Sequence, residues 1–128
     1  QGSVRFSDGK WLGWEGQHLE AIIDLGQATP VSALSIGALE DYNAWIFFPR
    51  GLEVWASTDG HSYEKVKTVA YPSPAGPELA QRRNFTARFE PRAARYLRLK
   101  ALSQLANPSW HPNPGQPCWL FVDEVLVE

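Results

Sequence analysis

The sequence of 128 residues predicts an all-β domain of the sandwich or jelly-roll class. Short segments alternate apolar and polar residues with a period of two, which is typical of strands that bury one face. Turn signals such as Asp59-Gly60 separate these segments, and no segment carries a long apolar stripe at helical spacing. The length, together with 44% hydrophobic and 20% charged residues, favours a single domain over residues 1–128.

The predicted strands follow one another along the chain, and each turns its apolar residues to one face. In chain order they are HLEAIIDLG (18–26), SALSIG (32–37), the hairpin GLEVWASTDGHSYEKV (51–66), NFTARFE (84–90), RYLRLKAL (95–102) and CWLFVDEVLVE (118–128). Trp119 is in register with Phe121 in the last strand, so we expect it in the core. The other residues predicted to face inward are Leu19, Ala21, Ile23, Leu25, Leu52, Val54, Ala56, Phe85, Ala87, Phe89, Leu97, Leu99 and Ala101.

Charge and cysteine content argue against several classes of function. A net charge of −2 and a pI near 5.9 argue against a general nucleic-acid binder. No apolar run approaches the ~18 residues that a membrane span needs. Seven of the twelve Lys and Arg lie between Arg82 and Lys100, where alternation with apolar residues predicts solvated or ion-paired side chains. Cys118 is the only cysteine, so we expect a buried thiol and no internal disulfide.

Catalytic signatures are missing from the sequence, which contains no nucleophile elbow, zinc-protease motif or glycine-rich phosphate loop. Two adjacent acid pairs remain, Glu40-Asp41 and Asp123-Glu124. The second pair lies in a predicted strand, where successive side chains point to opposite faces, so we expect its carboxylates not to converge. The first pair lies in a loop and is typical of a solvated acidic turn. We therefore expect a non-catalytic domain.

Three elaborate segments between the strands are the candidates for function: 39–51, 71–83 and 107–119. Sugar sites combine a flat aromatic ring, against which the C–H face of a pyranose packs, with fixed polar partners for its hydroxyls. Segment 39–51 offers Glu40, Asp41, Tyr42, Asn43 and Trp45, and segment 107–119 offers Asn107, Trp110, His111 and Asn113. The alternative is that Trp45 and Trp110 plug the end of a sandwich. Because prolines flank Trp110 and His111, we expect this pair to face a ligand or partner.

The chain resembles a known family through DGKWLGWEGQHLEAIIDLG, VSALSIG, GLEVWASTDGHSYEKV, ARYLRLKA and FVDEVLVE in this order. These segments are similar to the discoidin-like domains of coagulation factor 5/8 type C, which include the family 32 carbohydrate-binding modules. DGKWLGWEG, AWIFFPRGLEVWASTDG and WHPNPGQPCWLFVDE also resemble the C-terminal domain of bacterial family 20 β-N-acetylhexosaminidases. The resemblance implies an eight-stranded, galactose-binding-like jelly roll without catalytic activity and with a site in the loops at one tip.

The resemblance also implies a structural calcium ion. Glu124 matches the acidic position that often completes the calcium shell in this family, and Asp8 is a second oxygen donor at the other end of the chain. Two such hard ligands would join the termini. Since this sequence opens close to SDGKW, we expect the Asp-Gly loop that supplies much of the site in relatives to be absent or replaced.

The function that these observations favour is a carbohydrate-binding module appended to a bacterial glycoside hydrolase. We expect it to bind terminal galactose, N-acetylgalactosamine or N-acetylglucosamine and to be secreted, periplasmic or on the cell surface. The ligand residues predicted from the loops are Glu40, Asp41, Tyr42, Asn43, Trp45, Trp110 and His111. The alternative is a structural accessory domain that packs against a hexosaminidase barrel and binds no sugar.

Overall fold

The computed structural model describes residues 4–6 and 12–128, which form seven antiparallel strands and one short 3-10 helix. Two strands of 22 residues each, β3 and β6, form the centre of the fold. The strands are β1 (Val4–Phe6), β2 (Leu12–Glu15), β3 (Leu19–Glu40), β4 (Gly51–Ser57), β5 (Glu64–Ala70), β6 (Gln81–Leu102) and β7 (Trp119–Val127), and the 3-10 helix is Tyr42–Ala44. In this part of the chain, no helix has the length and apolar character that crossing a bilayer requires.

Strands β3 and β6 pair along their whole length, from Leu19 opposite Ala101 to Glu40 opposite Gln81. Two predicted breaks, at 27–31 and 91–94, are therefore wrong. The ladder continues through both because its register shifts between Asp24 and Thr29 and again between Val31 and Ala33. Such irregularities bend a strand without ending it. The resemblance implies eight strands, and the described residues contain seven. The four predicted strands 18–26, 32–37, 84–90 and 95–102 form only two, β3 and β6.

The bent β3–β6 ribbon supplies both layers of a β-sandwich. Strands β4 and β5 extend the half of the ribbon that contains the end of β6, whereas β7, followed by β1 and β2, extends the half that contains the end of β3. Apolar side chains from both halves form one buried cluster between the layers. Both ends of the ribbon reach the same tip, where Tyr71 after β5 packs edge-on against Phe85 of β6 at 4.9 Å. The all-β sandwich prediction is confirmed.

The period-two alternation identified most of the core correctly. Among the predicted inward residues, Ala21, Leu25 and Phe89 are partly buried and pack against the core, and the others are buried. The prediction for Trp119 is wrong. Leu120 and Val122 face the core, so Trp119 and Phe121 lie on the opposite face, packed edge-on at 5.5 Å over Gly13 of β2. A β-carbon at Gly13 would meet both rings, so the absent side chain makes room for them.

The basic stretch of β6 is ion-paired, as predicted. Arg92 pairs with Glu64, Arg95 with Asp24 and Arg98 with Glu20, at 2.5, 2.9 and 3.1 Å. The Arg95 hydrogen bond lowers the pKa of Asp24. These pairs are exposed, so they keep the sheet face soluble and contribute little to stability.

The acid pair Asp123-Glu124 does converge, contrary to the prediction. The register between β3 and β7 shifts here, with Gly37 opposite Glu124 and Ala38 opposite Val122, so Asp123 is the extra residue of a bulge. The Arg82 guanidinium donates to both carboxylates, at 2.8 and 3.1 Å to Asp123 and at 3.2 Å to Glu124. A side chain at Gly37 would overlap this cluster. One cation bound by two acids is an ion-pair network, and it raises the pKa of Arg82.

Candidate functional site

Three loops meet at the tip of the sandwich: loop 41–50, loop 71–80 and loop 103–118. Backbone hydrogen bonds connect them to each other and to β7. The Phe47 N–H donates to the Trp119 carbonyl at 3.0 Å, and the Trp119 N–H donates to the Trp45 carbonyl at 2.7 Å. The Tyr71 N–H donates to the Arg50 carbonyl at 2.8 Å. Because their backbone groups are paired in this way, the loops hold defined positions relative to each other and to β7.

Loop 41–50 begins with a capped turn that sets the position of Trp45. The Asp41 carboxylate accepts a hydrogen bond from the Asn43 N–H at 3.2 Å, which caps the 3-10 helix. Asp41 and Ile46 then exchange two backbone hydrogen bonds, and the Trp45 N–H donates to the Tyr42 carbonyl at 3.1 Å. This closure holds Trp45 in the left-handed region, at φ 64° and ψ 36°. A bulky residue rarely adopts that conformation, and such strain concentrates at functional sites.

His111 connects loop 103–118 to loop 41–50. Its ring is buried, with 5% exposure, and both nitrogens are used. The Asn113 N–H donates to Nδ1 at 2.9 Å, so the proton lies on Nε2, which donates to the Tyr42 carbonyl at 2.9 Å. The imidazole therefore holds the two loops together, and a ligand meets its edge instead of a free ring nitrogen.

Trp110 forms a wall at the centre of the tip. Its Nε1–H donates to the Pro74 carbonyl at 2.9 Å, which attaches loop 71–80. Its ring packs edge-on against Tyr42 at 6.0 Å and against Phe47 at 6.1 Å, and lies 6.0 Å from His111. The side chain is half-buried and joins all three loops. We call Trp110, Tyr42, Phe47 and His111 the aromatic wall.

A cleft of about 230 Å³, here cleft A, opens on one side of this wall. The structure brings together four of the residues predicted from the sequence, Tyr42, Asn43, Trp45 and His111. Pro112 and Asn113 complete the lining. The Trp45 and His111 rings meet edge-on at 5.9 Å, and the Asn43 and Asn113 side chains are exposed beside them. Asp41 lies behind the cleft as the helix cap, and Trp110 is not among the lining residues.

A second cleft of about 250 Å³, here cleft B, lies between loop 41–50, loop 71–80 and the start of β6. Glu40 belongs to this cleft and not to cleft A. The sequence interpretation missed its other chemistry-bearing residues, although it singled out segment 71–83 that supplies most of them. Besides Glu40, the lining includes the aromatic residues Phe48, Tyr71 and Phe85 and the charged residues Glu78 and Arg83.

Glu40 is a buried acid with few partners. Its exposure is 5%, and among the described residues its carboxylate accepts one long hydrogen bond, from the Phe48 N–H at 3.5 Å. Burial raises the pKa of Glu40, and the negative charge of Glu78 raises it further, whereas the Phe48 hydrogen bond and the positive charge of Arg83 offset part of this rise. The nearby Tyr71 hydroxyl is buried without a hydrogen-bond partner in the described part of the chain, and burial raises the pKa of Tyr71 as well. Cleft B therefore contains one buried polar group, the Tyr71 hydroxyl, that the described part of the chain leaves without a partner.

The predicted calcium ligands are only partly described. Asp8 lies outside the described residues. Glu124 supplies the hard oxygen donor that calcium prefers, but this carboxylate accepts a hydrogen bond from Arg82 at 3.2 Å. Within 4–6 and 12–128, no three His, Cys, Asp or Glu side chains are grouped to hold a metal. Calcium binding by Asp8 and Glu124 stays a prediction.

Cys118 is buried beneath the tip, as predicted. Burial raises the pKa of its thiol to about 11, so the thiol stays protonated and unreactive at neutral pH.

The described residues thus form an antiparallel β-sandwich with clefts A and B among the loops at one tip. The sequence profile of the F5/8 type C domain matches residues 2–123, and the chain belongs to that family. The predicted discoidin-like identity is thereby confirmed. A comparison with curated protein sequences gives no match.

Similar solved structures include carbohydrate-binding modules. A family 32 module of Clostridium perfringens, in complex with GalNAc-β-1,3-galactose, is 15% identical with a TM-score of 0.61, over 98% of this chain and 93% of that chain. Chitosan-binding module 1 of a Paenibacillus sp. IK-5 chitosanase/glucanase is 16% identical with a TM-score of 0.60, over 99% and 93%. A Ruminococcus gnavus family 29 fucosidase matches 91% of this chain with 19% of its own length, at 13% identity and a TM-score of 0.55. At these identities the comparisons establish the shared fold.

Proposed function

We propose that this domain is a non-catalytic carbohydrate-binding module that binds a terminal galactose or N-acetylhexosamine in cleft A. The observation that carries the proposal is the position of Trp45, held in a strained backbone conformation beside exposed amides. An aromatic ring offers a surface for the C–H face of a pyranose, and the side chains of Asn43 and Asn113 offer donors and acceptors for its hydroxyls. The aromatic wall keeps this arrangement in place before a ligand arrives.

The similar structures support this class of ligand, because one was solved with a GalNAc-containing disaccharide and another is named for binding chitosan. We further propose that the module belongs to a secreted or cell-surface glycoside hydrolase. The resemblance to the C-terminal domain of family 20 hexosaminidases makes such an enzyme the first candidate. The module would then concentrate the enzyme on its glycan substrate and contribute no catalytic group.

The expected affinity is weak. Cleft A is small and open, and each hydroxyl hydrogen bond contributes a net free energy of only about 1 kcal/mol. A few such bonds and one ring contact correspond to a Kd of order 0.1–1 mM.

Titration calorimetry with galactose, N-acetylgalactosamine and N-acetylglucosamine tests the proposal. Trp45→Ala should reduce affinity about tenfold, since one aromatic contact contributes about 1–1.5 kcal/mol. Trp110→Ala should also weaken binding, because it removes the ring of the aromatic wall that packs against Tyr42 and Phe47. The matched control is Trp55→Ala in β4, where the ring lies under Arg98 and Lys65, away from the tip loops. That variant should bind as the wild type does.

Two outcomes contradict the proposal. Sugar binding that is unchanged in both tip variants would remove cleft A from the site. A wild-type domain that binds none of the three sugars would favour the accessory-domain alternative, in which loops 41–50 and 103–118 pack against a catalytic barrel.

A further inference from the structure

We propose that the end of the sandwich opposite the tip carries a further binding site, for a tetrahedral oxyanion such as a phosphate or sulfate group. The turn between β4 and β5 and the bend of β6 near Arg92 meet there, whereas both ends of the β3–β6 ribbon lie at the tip. A pocket of about 260 Å³ between them, here the far pocket, is as large as clefts A and B and shares no lining residue with either. The proposal is therefore independent of the sugar site.

The first argument is the guanidinium of Arg92, because only half of its hydrogen-bonding edge is used. The Nε–H and Nη2–H groups of an arginine lie on one edge and together bind two oxygens of an oxyanion. Arg82 and Arg95 each use this whole edge for one carboxylate. Arg92 donates from Nη2 to Glu64, but its Nε is buried and has no hydrogen-bond partner in the described part of the chain. A buried donor without a partner is costly, so this edge favours a ligand that brings a second oxygen.

The second argument is that Glu64 occupies the position that the ligand would take, and that it is easily displaced. Its side chain is 70% exposed, and among the described residues its carboxylate is bound by Arg92 alone. Exposed ion pairs of this kind contribute little to stability. An incoming oxyanion can therefore replace this carboxylate at small cost and engage both Nη2 and Nε.

The third argument is the hydroxyl-rich lining, which favours a tetrahedral group over a carboxylate. Thr58, Ser62 and Tyr63 line the far pocket, and their hydroxyls form no hydrogen bond with the described residues. An oxyanion that uses two oxygens on Arg92 keeps further oxygens only if it is tetrahedral. Hydroxyl groups are suitable donors for those remaining oxygens.

The other acid of the turn, Asp59, does not compete for Arg92. Its carboxylate accepts hydrogen bonds from the Ser57 hydroxyl and from the N–H groups of His61 and Ser62, at 2.9, 2.8 and 2.9 Å. Asp59 is not among the residues that line the far pocket. Its charge is therefore bound within the turn, and Glu64 is the carboxylate that an oxyanion must replace.

Titration with phosphate, sulfate and acetate at constant ionic strength, followed by nuclear magnetic resonance, tests the proposal. Phosphate and sulfate should shift the Arg92 Nε–H signal of the wild type to saturation, and the tighter of the two identifies the preferred group. Acetate should bind about tenfold more weakly, because it leaves the hydroxyls without a partner. Glu64→Gln removes the competing charge and should strengthen phosphate binding about tenfold. Arg92→Gln should abolish phosphate binding, followed at the backbone N–H signals of Thr58 and Ser62.

Asp24→Asn is the matched control, because it also removes the acid from one exposed arginine of β6, Arg95. It should leave phosphate binding unchanged, since Arg95 does not line the far pocket. The proposal is overturned if Glu64→Gln does not strengthen phosphate binding, or if Asp24→Asn strengthens it equally. Acetate binding as tight as that of phosphate and sulfate, or wild-type phosphate affinity in a folded Arg92→Gln variant, would also overturn it. Arg92→Gln should bind galactose as the wild type does, so failure of this proposal and failure of the sugar site are distinguishable.

Discussion

The left-handed conformation of Trp45 predicts which of two variants, both without the ring, has the higher free energy of unfolding. The perturbation is a pair of substitutions, Trp45→Ala and Trp45→Gly, which remove the same ring and differ only in the backbone. At φ 64° a residue with a β-carbon costs about 1–2 kcal/mol, which glycine does not incur. Glycine loses about 0.4–1 kcal/mol through the entropy of the unfolded chain. The glycine variant should therefore be more stable than the alanine variant by about 1 kcal/mol.

The assay is urea unfolding of both variants, followed by circular dichroism and analysed with a common slope. A difference of about 1 kcal/mol corresponds to a difference in Tm of about 4 °C for a domain of this size. The control is the same pair of substitutions at Trp55 in β4, which is also partly buried but lies in an extended strand. There glycine should be less stable than alanine by about 0.5–1 kcal/mol, the reverse order.

An alanine variant at position 45 that is as stable as the glycine variant, or more stable, would refute the reasoning. It would mean that Trp45 is not held in the left-handed region. Sugar titration adds a second criterion, because both variants lack the ring and should lose the same affinity in cleft A. Wild-type affinity in the glycine variant would show that backbone geometry, and not the ring, makes the site.

Three further predictions concern charge and metal. Because burial raises the pKa of Glu40 above its ordinary 4.5, the native state binds this proton more tightly than the unfolded chain does. The free energy of unfolding of the wild type should therefore rise as the pH falls through the raised pKa. Glu40→Gln should be more stable than the wild type at neutral pH, and this difference in free energy of unfolding should become smaller in acid. The pKa of Asp59 is shifted in the opposite direction: hydrogen bonds from the Ser62 and His61 N–H groups and from Ser57 lower it to about 2. The stabilisation that Asp59 contributes should therefore be lost as the pH falls from 3.8 towards 2, and Asp59→Asn should not show this loss. The calcium prediction requires that the Tm rise with added calcium and fall with a chelator in the wild type but not in Glu124→Gln; equal Tm values in calcium and chelator would contradict it.

The strand faces were predictable because alternation is a local property. Leu97, Leu99 and Ala101 are all fully buried, as the period of two requires. The same alternation also predicts the direction in which Glu40 faces, which the sequence interpretation missed. Glu40 is in phase with Ile36 and Ala38, which are buried, so continuing the alternation past Leu39 turns Glu40 inward and Asp41 away from it. That phase separates the two acids into different sites.

Bulges and loop contacts were not predictable from local pattern. The extra residue at Asp123 reverses the facing of the acid pair, and no side chain in that strand signals it. The roles of Trp110 and His111 depend on carbonyl groups in distant segments, those of Pro74 and Tyr42. Aromatic and polar residues in a proline-rich loop suit a ligand surface and a buried wall equally well. Only the tertiary hydrogen bonds decide between the two.

The aromatic wall changes the role assigned to Trp110 and His111, from direct ligand contact to support of the residues that line the clefts. Trp110 and His111 satisfy their polar atoms within the protein, so their contribution to binding is to fix Trp45 and Asn113 on one side and loop 71–80 on the other. A loop that is rigid before binding loses little entropy when a sugar arrives, which offsets part of the weakness of a small site. Substitutions in the wall should therefore disturb both clefts together. Substitutions at Trp45 or Glu40 should disturb one cleft each, because each of these side chains lines only one cleft.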